Sequence, residues 1–236
     1  DPRTWPADRP LAQQFVMPPS NASYLSALRA LYAATLLNDD SESSTAALRV
    51  KAAYDGHQFG NPDLLNDDTY SLFVLASART SFAVSPDKEM PDSLLANQSE
   101  DGGWSWAVGG SGETDMTGMV LTALEGSGAL QDVNASRVED FLASTRAIDG
   151  GHSLVPGGGS GNCDSTVWAI RAYALLGAPR PDAAWDFLLG LQTADGGFAY
   201  TAGGPSNTFC TAEVAVLLGL QAANRLTHPW NPVVLD

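Results

Sequence analysis

An Asp-Gly turn recurs along this chain at Asp55, Asp101, Asp149 and Asp195, in steps of 46, 48 and 46 residues. The turns read "YDGHQFG", "SEDGGWSW", "AIDGGHSL" and "TADGGFAY". Between them runs a second motif anchored on a threonine: "NDDTYSLFVLA", "TDMTGMVLTAL", "CDSTVWAIRAYALL" and "FCTAEVAVLLGL". Its threonines, Thr69, Thr117, Thr166 and Thr211, are spaced by 48, 49 and 45 residues. A degenerate copy, "NASYLSALRALYAATL", opens the array with Ser23 in the threonine's place. Two unrelated motifs that keep one period restrict the chain to a repeat architecture, in which each unit buries its apolar surface against its neighbours.

Each period predicts two helices. The threonine motif starts a segment rich in Ala, Leu and Val with few charges, which suits a helix buried nearly all round. Asp or Asn just before the threonine is expected to cap it, because a side-chain oxygen there satisfies open backbone N–H groups. The other segments, "DKEMPDSLLANQ", "SRVEDFLASTR" and "PDAAWDFLLGLQ", place apolar residues at helical spacing with carboxylates outward. Gly-Gly is expected to close this half-exposed helix, since glycine accepts the left-handed conformation of a helix end. One buried and one half-exposed helix per period describes concentric layers, with inner helices around an axis and outer helices wrapping them.

The sequence Gln-x-x-Asp-Gly-Gly-Trp at Gln98–Trp104 resembles the QW repeat of squalene and oxidosqualene cyclases. The whole period is similar to the prenyltransferase and squalene-oxidase repeat, from about Tyr54 to Gln221. The resemblance implies an all-α fold, an α/α toroid. About five inner and four outer helices are expected, against six of each in the family's usual ring. That predicts a smaller or open ring, or one whose gap is covered by the Pro-rich extended ends, residues 1–20 and 228–236. Residues 1–236 are read as one domain, a length that buries one sizeable core. Arg146 stands where Gln98 and Gln192 fit the motif, and His152 and Phe198 stand where it has Trp104. The motif itself reads as structural: glycine turns the chain sharply, the aromatic lies over an outer-helix end, and the glutamine or arginine bonds helix-end groups.

Composition narrows the partners. There are 27 acidic and 12 basic residues, a net charge of −15, with no Lys/Arg run. This excludes nucleic acid and anionic membrane as expected partners. No apolar stretch reaches the roughly 18 residues of a spanning helix. The chain opens on Asp1, which reads as a mature or trimmed start, and Asn21, Asn97 and Asn134 head N-x-S/T sequons. A secreted or cell-surface location is the resulting expectation. The cysteines, Cys163 and Cys210, fall on consecutive inner helices at nearly matched depth, as a disulfide candidate or two buried thiols.

By the resemblance, a ligand would sit where the inner helices begin, around the central cavity. Class II terpene cyclases carry Asp-x-Asp-Asp-Thr there, and "LNDDT" at Leu65–Thr69 is similar, with Asp67 in the acid's place and Leu65 where the first aspartate belongs. Asp67, Asp68, Tyr70, Asp115, Asp164, Trp168 and Phe209 are the candidate ligand-binding residues, and Asp67 the catalytic acid if the chain is a cyclase. The plainer reading is that Asp67, Asp68, Asp115 and Asp164 cap helices. Protein prenyltransferase β subunits share the fold and bind zinc through Asp, Cys and His. Here Asp115, Cys163, Asp164 and Cys210 fall at comparable helix starts, but His57, His152 and His228 do not, so neither metal nor cofactor is expected. Transcobalamin-like toroids, also similar, bind a corrinoid without catalysis.

Three functions follow. The favoured one is an extracellular, non-catalytic toroid that binds a sizeable, partly apolar small molecule, terpenoid or corrinoid-like. The others are a terpene-cyclase-like enzyme and a structural or adhesion module of a cell-surface protein.

Overall fold

The computed structural model describes residues 89–179 and 181–222, together with Leu48 and Leu226. Its elements, in chain order, are α1 (Glu89–Ala96), α2 (Thr114–Ser127), a 3-10 turn (Leu130–Asp132), α3 (Ala135–Ser144), α4 (Cys163–Leu175), α5 (Asp182–Gly190), β1 (Phe198–Ala199), β2 (Ser206–Asn207) and α6 (Thr208–Ala222). The described residues thus hold three outer helices, α1, α3 and α5, alternating with three inner ones, α2, α4 and α6. The expected fifth inner copy, the Asp55 and Thr69 motifs and both Pro-rich ends lie outside the described residues.

The two helix classes differ as their sequences require. In α3 the buried residues are Val138, Phe141 and Leu142, one stripe at helical spacing, and in α5 they are Ala184, Trp185 and Leu188. In α4 ten of thirteen residues are buried, including Arg171, and in α2 nine of fourteen, whereas α6 departs from the expectation and buries only Cys210, Val214, Leu217 and Leu220. Inner helices run parallel: along α2 and α4, Gly118 abuts Trp168 and, one turn on, the Thr122 hydroxyl accepts from Arg171 Nε at 3.0 Å. A Cβ on Gly118 would lie 2.6 Å from the Trp168 carbonyl oxygen, so the close approach of these helices requires glycine there.

Each period is closed by one repeated set of bonds. The backbone N–H of the motif aromatic donates to the threonine hydroxyl of the next inner helix, 2.9 Å for Trp104–Thr117, His152–Thr166 and Phe198–Thr211. That hydroxyl donates in turn to a carbonyl one turn back, at Glu113, Asn162 and Asn207. A hydroxyl both gives and takes, which is why a threonine anchors the period. The turn aspartate ties the loop from the other side: Asp101 accepts from Gly103 and Gly112, and Asp149 from Gly151 and Gly161.

The glycine pair corrects one expectation. The outer helices end at Ala96, Ser144 and Gly190, and the first glycine of each pair, Gly102, Gly150 or Gly196, comes later, within the aspartate turn, with φ of +97°, +92° and +87°. Those glycines shape the turn rather than close the helix. The second glycine seats the next outer helix: a Cβ on Gly103 would strike the Phe141 ring and one on Gly151 the Phe187 ring, both under 3.0 Å. The motif aromatic does lie over a helix end, since Trp104 is fully buried and its indole N–H donates to the Leu94 carbonyl at 2.6 Å. The glutamines bond the turn instead, Gln98 to Gly102 O and Gln192 to Gly196 O.

Candidate functional site

The inner helices begin side by side, and the first turns of α2 and α4 are finished by the loop of the following period. The backbone N–H of Thr114 donates to Leu154 O at 2.8 Å, and that of Cys163 to Tyr200 O at 2.9 Å. These loops meet the helix starts and carry exposed apolar side chains: Leu154 is 42% exposed and Tyr200 46%.

Beneath them three carboxyl groups converge, Asp115 from α2, Asp164 from α4 and Glu213 from α6. Burial pushes Asp115 up to about 6, helped by the charge of Asp164. Burial likewise raises Glu213 to about 8, again with Asp164 contributing, and Asp164 is itself raised by burial. Burial and the neighbouring Asp164 carboxyl thus hold the proton on Glu213 near neutral pH, because two close carboxyls in a half-buried site do not both ionise. Trp168 on α4 donates its indole N–H to Glu213 Oε1 at 3.2 Å. The hydroxyl of Tyr200 is also pushed up, by burial and then by Asp164 and Asp115, so the Tyr200 ring belongs to the same group.

The capping expectation for Asp115 and Asp164 is corrected. Asn162 caps α4 by accepting from Ser165 N at 2.9 Å, and Asn207 accepts from Cys210 N at 3.0 Å at the start of α6. The cap thus falls four residues before the threonine, and the aspartates, one position inside the helix, turn toward their neighbours. Asp115 accepts from the adjacent Met116 N, at 2.9 Å. Phe209 is 57% exposed on the first turn of α6. Asp67, Asp68 and Tyr70 lie outside the described residues.

Glu213 escaped the sequence reading. Its signal was there: a single carboxylate in the apolar run "TAEVAVLLGL", two residues after its threonine, where α4 has Trp168. The two cysteines meet as free thiols. Both are buried, and the Cys163 thiol donates to Cys210, which together with burial raises it well above the usual thiol range. Among the described residues, no trio of Asp, Glu, His or Cys is arranged to hold a metal ion, and no helix is long and apolar enough to cross a membrane.

The described basic side chains stand apart from this mouth. The described arginines are Arg137 on α3, Arg146 just after it, and Arg171 two turns along α4. Arg137 donates to the carbonyls of Ser99 and Glu100, and Arg146 to the Tyr173 hydroxyl.

Comparison with known proteins agrees with this architecture. No curated protein sequence matches the chain. Among solved structures, the Candida albicans protein geranylgeranyltransferase-I complexed with GGPP has a similar fold, with a TM-score of 0.60 at 14% identity, over 87% of this chain and 68% of that one. A family model described as a prenyltransferase alpha-alpha toroid domain matches residues 24–198. With inner and outer helices alternating through a repeat matched over most of its length, the chain belongs to the prenyltransferase α/α-toroid domain family.

Proposed function

We propose that the mouth formed by the inner-helix starts binds a sizeable, partly apolar small molecule whose polar group is uncharged or cationic, and holds it without turnover. The carrying observation is the meeting of Asp115, Asp164 and Glu213 with Trp168 under the apolar loop residues. An apolar rim with a few convergent polar groups is the usual anatomy of a small-molecule site. The charge balance sets the head group. The similar geranylgeranyltransferase-I structure contains GGPP, but a mouth of carboxyl groups with its described arginines elsewhere disfavours an anionic ligand and favours a hydroxyl or an amine. A secreted or cell-surface setting is part of this reading and is supported by the sequon at Asn134, whose side chain is exposed.

The test is binding of geranylgeraniol, its amine and its diphosphate to the purified chain, followed by tryptophan fluorescence. The alcohol and amine should bind and the diphosphate should not, and Asp164→Asn should weaken the amine most. Tight binding of the diphosphate alone would overturn the proposal.

One observation favours a second reading. A carboxyl that is protonated near neutral pH and sits against an indole is what protonation of an alkene requires. Incubation with squalene and oxidosqualene decides it: cyclic products lost in Glu213→Gln or Asp67→Asn would make the chain a cyclase.

A further inference from the structure

Three departures from the repeat fall in one period and meet in space. Arg146 replaces the glutamine of its neighbours, His152 replaces Trp104 and Phe198, and Tyr173, seven residues after Thr166, stands where the flanking inner helices have Leu124 and Leu218. In the first described period the indole of Trp104 fills its site completely. In the next, the smaller imidazole lies 5.8 Å from the Tyr173 ring, tilted by 59°, and its Nδ1 bonds the Thr145 hydroxyl at 2.9 Å. Arg146 leaves the aspartate turn that its glutamine counterparts bond and lies over Tyr173. Its guanidinium is 5.5 Å from the ring centre, and Nε and Nη2 donate to the hydroxyl at 3.2 and 3.0 Å.

The result is an open pocket of about 490 Å³ on the outer wall, between α3 and α5, with Tyr173 and His152 among its lining. That volume is of small-molecule size. Its walls combine both signs of charge with small apolar surface. Arg146 supplies the cation, Glu139 and Asp140 of α3 and Asp182 of α5 supply carboxylates, and Ala143, Pro179 and Pro181 supply methyl and ring surface. The exposed Arg146 still has Nη1 to offer, and a guanidinium held on an aromatic ring is pre-organised for a carboxylate. A dianion would meet the carboxylates of α3, and a simple cation would meet Arg146.

We propose that this pocket is a second binding site, for a small zwitterion of the amino-acid or dipeptide class, with its carboxylate on Arg146 and its ammonium toward Glu139 and Asp140. The site is separate from the mouth at the inner-helix starts and stands or falls without it.

The experiment is calorimetric titration of the purified chain with aliphatic and proline-containing amino acids and dipeptides, beside their C-terminal amides and N-acetyl derivatives. At least one zwitterion should bind, with the amide and the N-acetyl form each weaker by about tenfold or more. Arg146→Gln, which gives this period its neighbours' residue, should abolish binding while the melting temperature stays within a few degrees. Tyr173→Phe, which removes the hydroxyl that holds the guanidinium, should weaken binding severalfold and serves where the arginine variant is unstable. The proposal is overturned if no zwitterion binds the unaltered chain, if blocked derivatives bind equally well, or if Arg146→Gln and Tyr173→Phe leave affinity unchanged.

Discussion

The backbone N–H of Trp104 and the hydroxyl of Thr117, 13 residues apart, meet at 2.9 Å in a buried hydrogen bond. Thr117→Val keeps the shape and removes the oxygen, which leaves that N–H without its partner. The expected cost is about 1–3 kcal/mol, with Thr117→Ser costing less. Urea unfolding of the two variants checks this, and equal stability of Val and wild type would show that the hydroxyl is dispensable.

Trp104 combines complete burial with an indole N–H bonded to Leu94 O. Trp104→Ala should destabilise by about 3–5 kcal/mol. Ligand affinity at the inner-helix mouth should hold in the folded fraction, which titration well below the melting temperature measures. Lost affinity at unchanged stability would move the indole into the site.

Gly118 touches the Trp168 carbonyl where α2 and α4 come closest. Gly118→Ala forces the backbones apart and should cost about 1–3 kcal/mol. It should also shift the fluorescence of Trp168, because that indole's bond to Glu213 depends on where α4 sits. A stable variant with an unshifted spectrum would contradict the packing described.

Stability should depend on pH through Glu213. Its carboxyl rises from the ordinary 4.5 to about 8 in the folded chain. The folded state then binds more protons than the unfolded one between those values, so this contribution is present below about 4.5 and lost as pH rises to 8. His152 acts in the opposite sense: burial, then Arg146, lowers it from 6.5 to about 4, so its contribution is lost as pH falls through that interval. Comparing Glu213→Gln with wild type at each pH isolates the carboxyl. The variant should lose less stability than wild type from pH 5 to 8, and parallel curves would refute the shift.

Cys163 and Cys210 are free and buried in contact. A thiol reagent should titrate two groups after denaturation without reductant and almost none in the native chain. Zero thiols after denaturation would instead establish the bridge.

The two-layer organisation was readable from sequence because a helix pair that cannot bury its own apolar face must repeat, and both motifs kept the period. Their spacing marked where each inner helix begins. What stayed hidden were interactions that cross periods. Nothing local shows that Thr166 receives the N–H of His152, that Phe141 rests on Gly103, or that Asp164 meets Glu213 49 residues on. The role of Asp164 is hidden for the same reason. A carboxylate at a helix start looks like a cap until Asn162, two residues earlier, is seen to occupy that role.

The inner helices α2 and α4 each have their first turn completed by the period that follows, through Leu154 O for α2 and Tyr200 O for α4. The array therefore has a direction of dependence, and its units are not interchangeable bricks. Cutting the chain after α4 would leave the Cys163 N–H open, although every residue of its own period remained. A deletion or duplication that preserves the wall must move one full period, taken from a point in one loop to the matching point in the next. Any shorter edit separates a helix from the loop that finishes it.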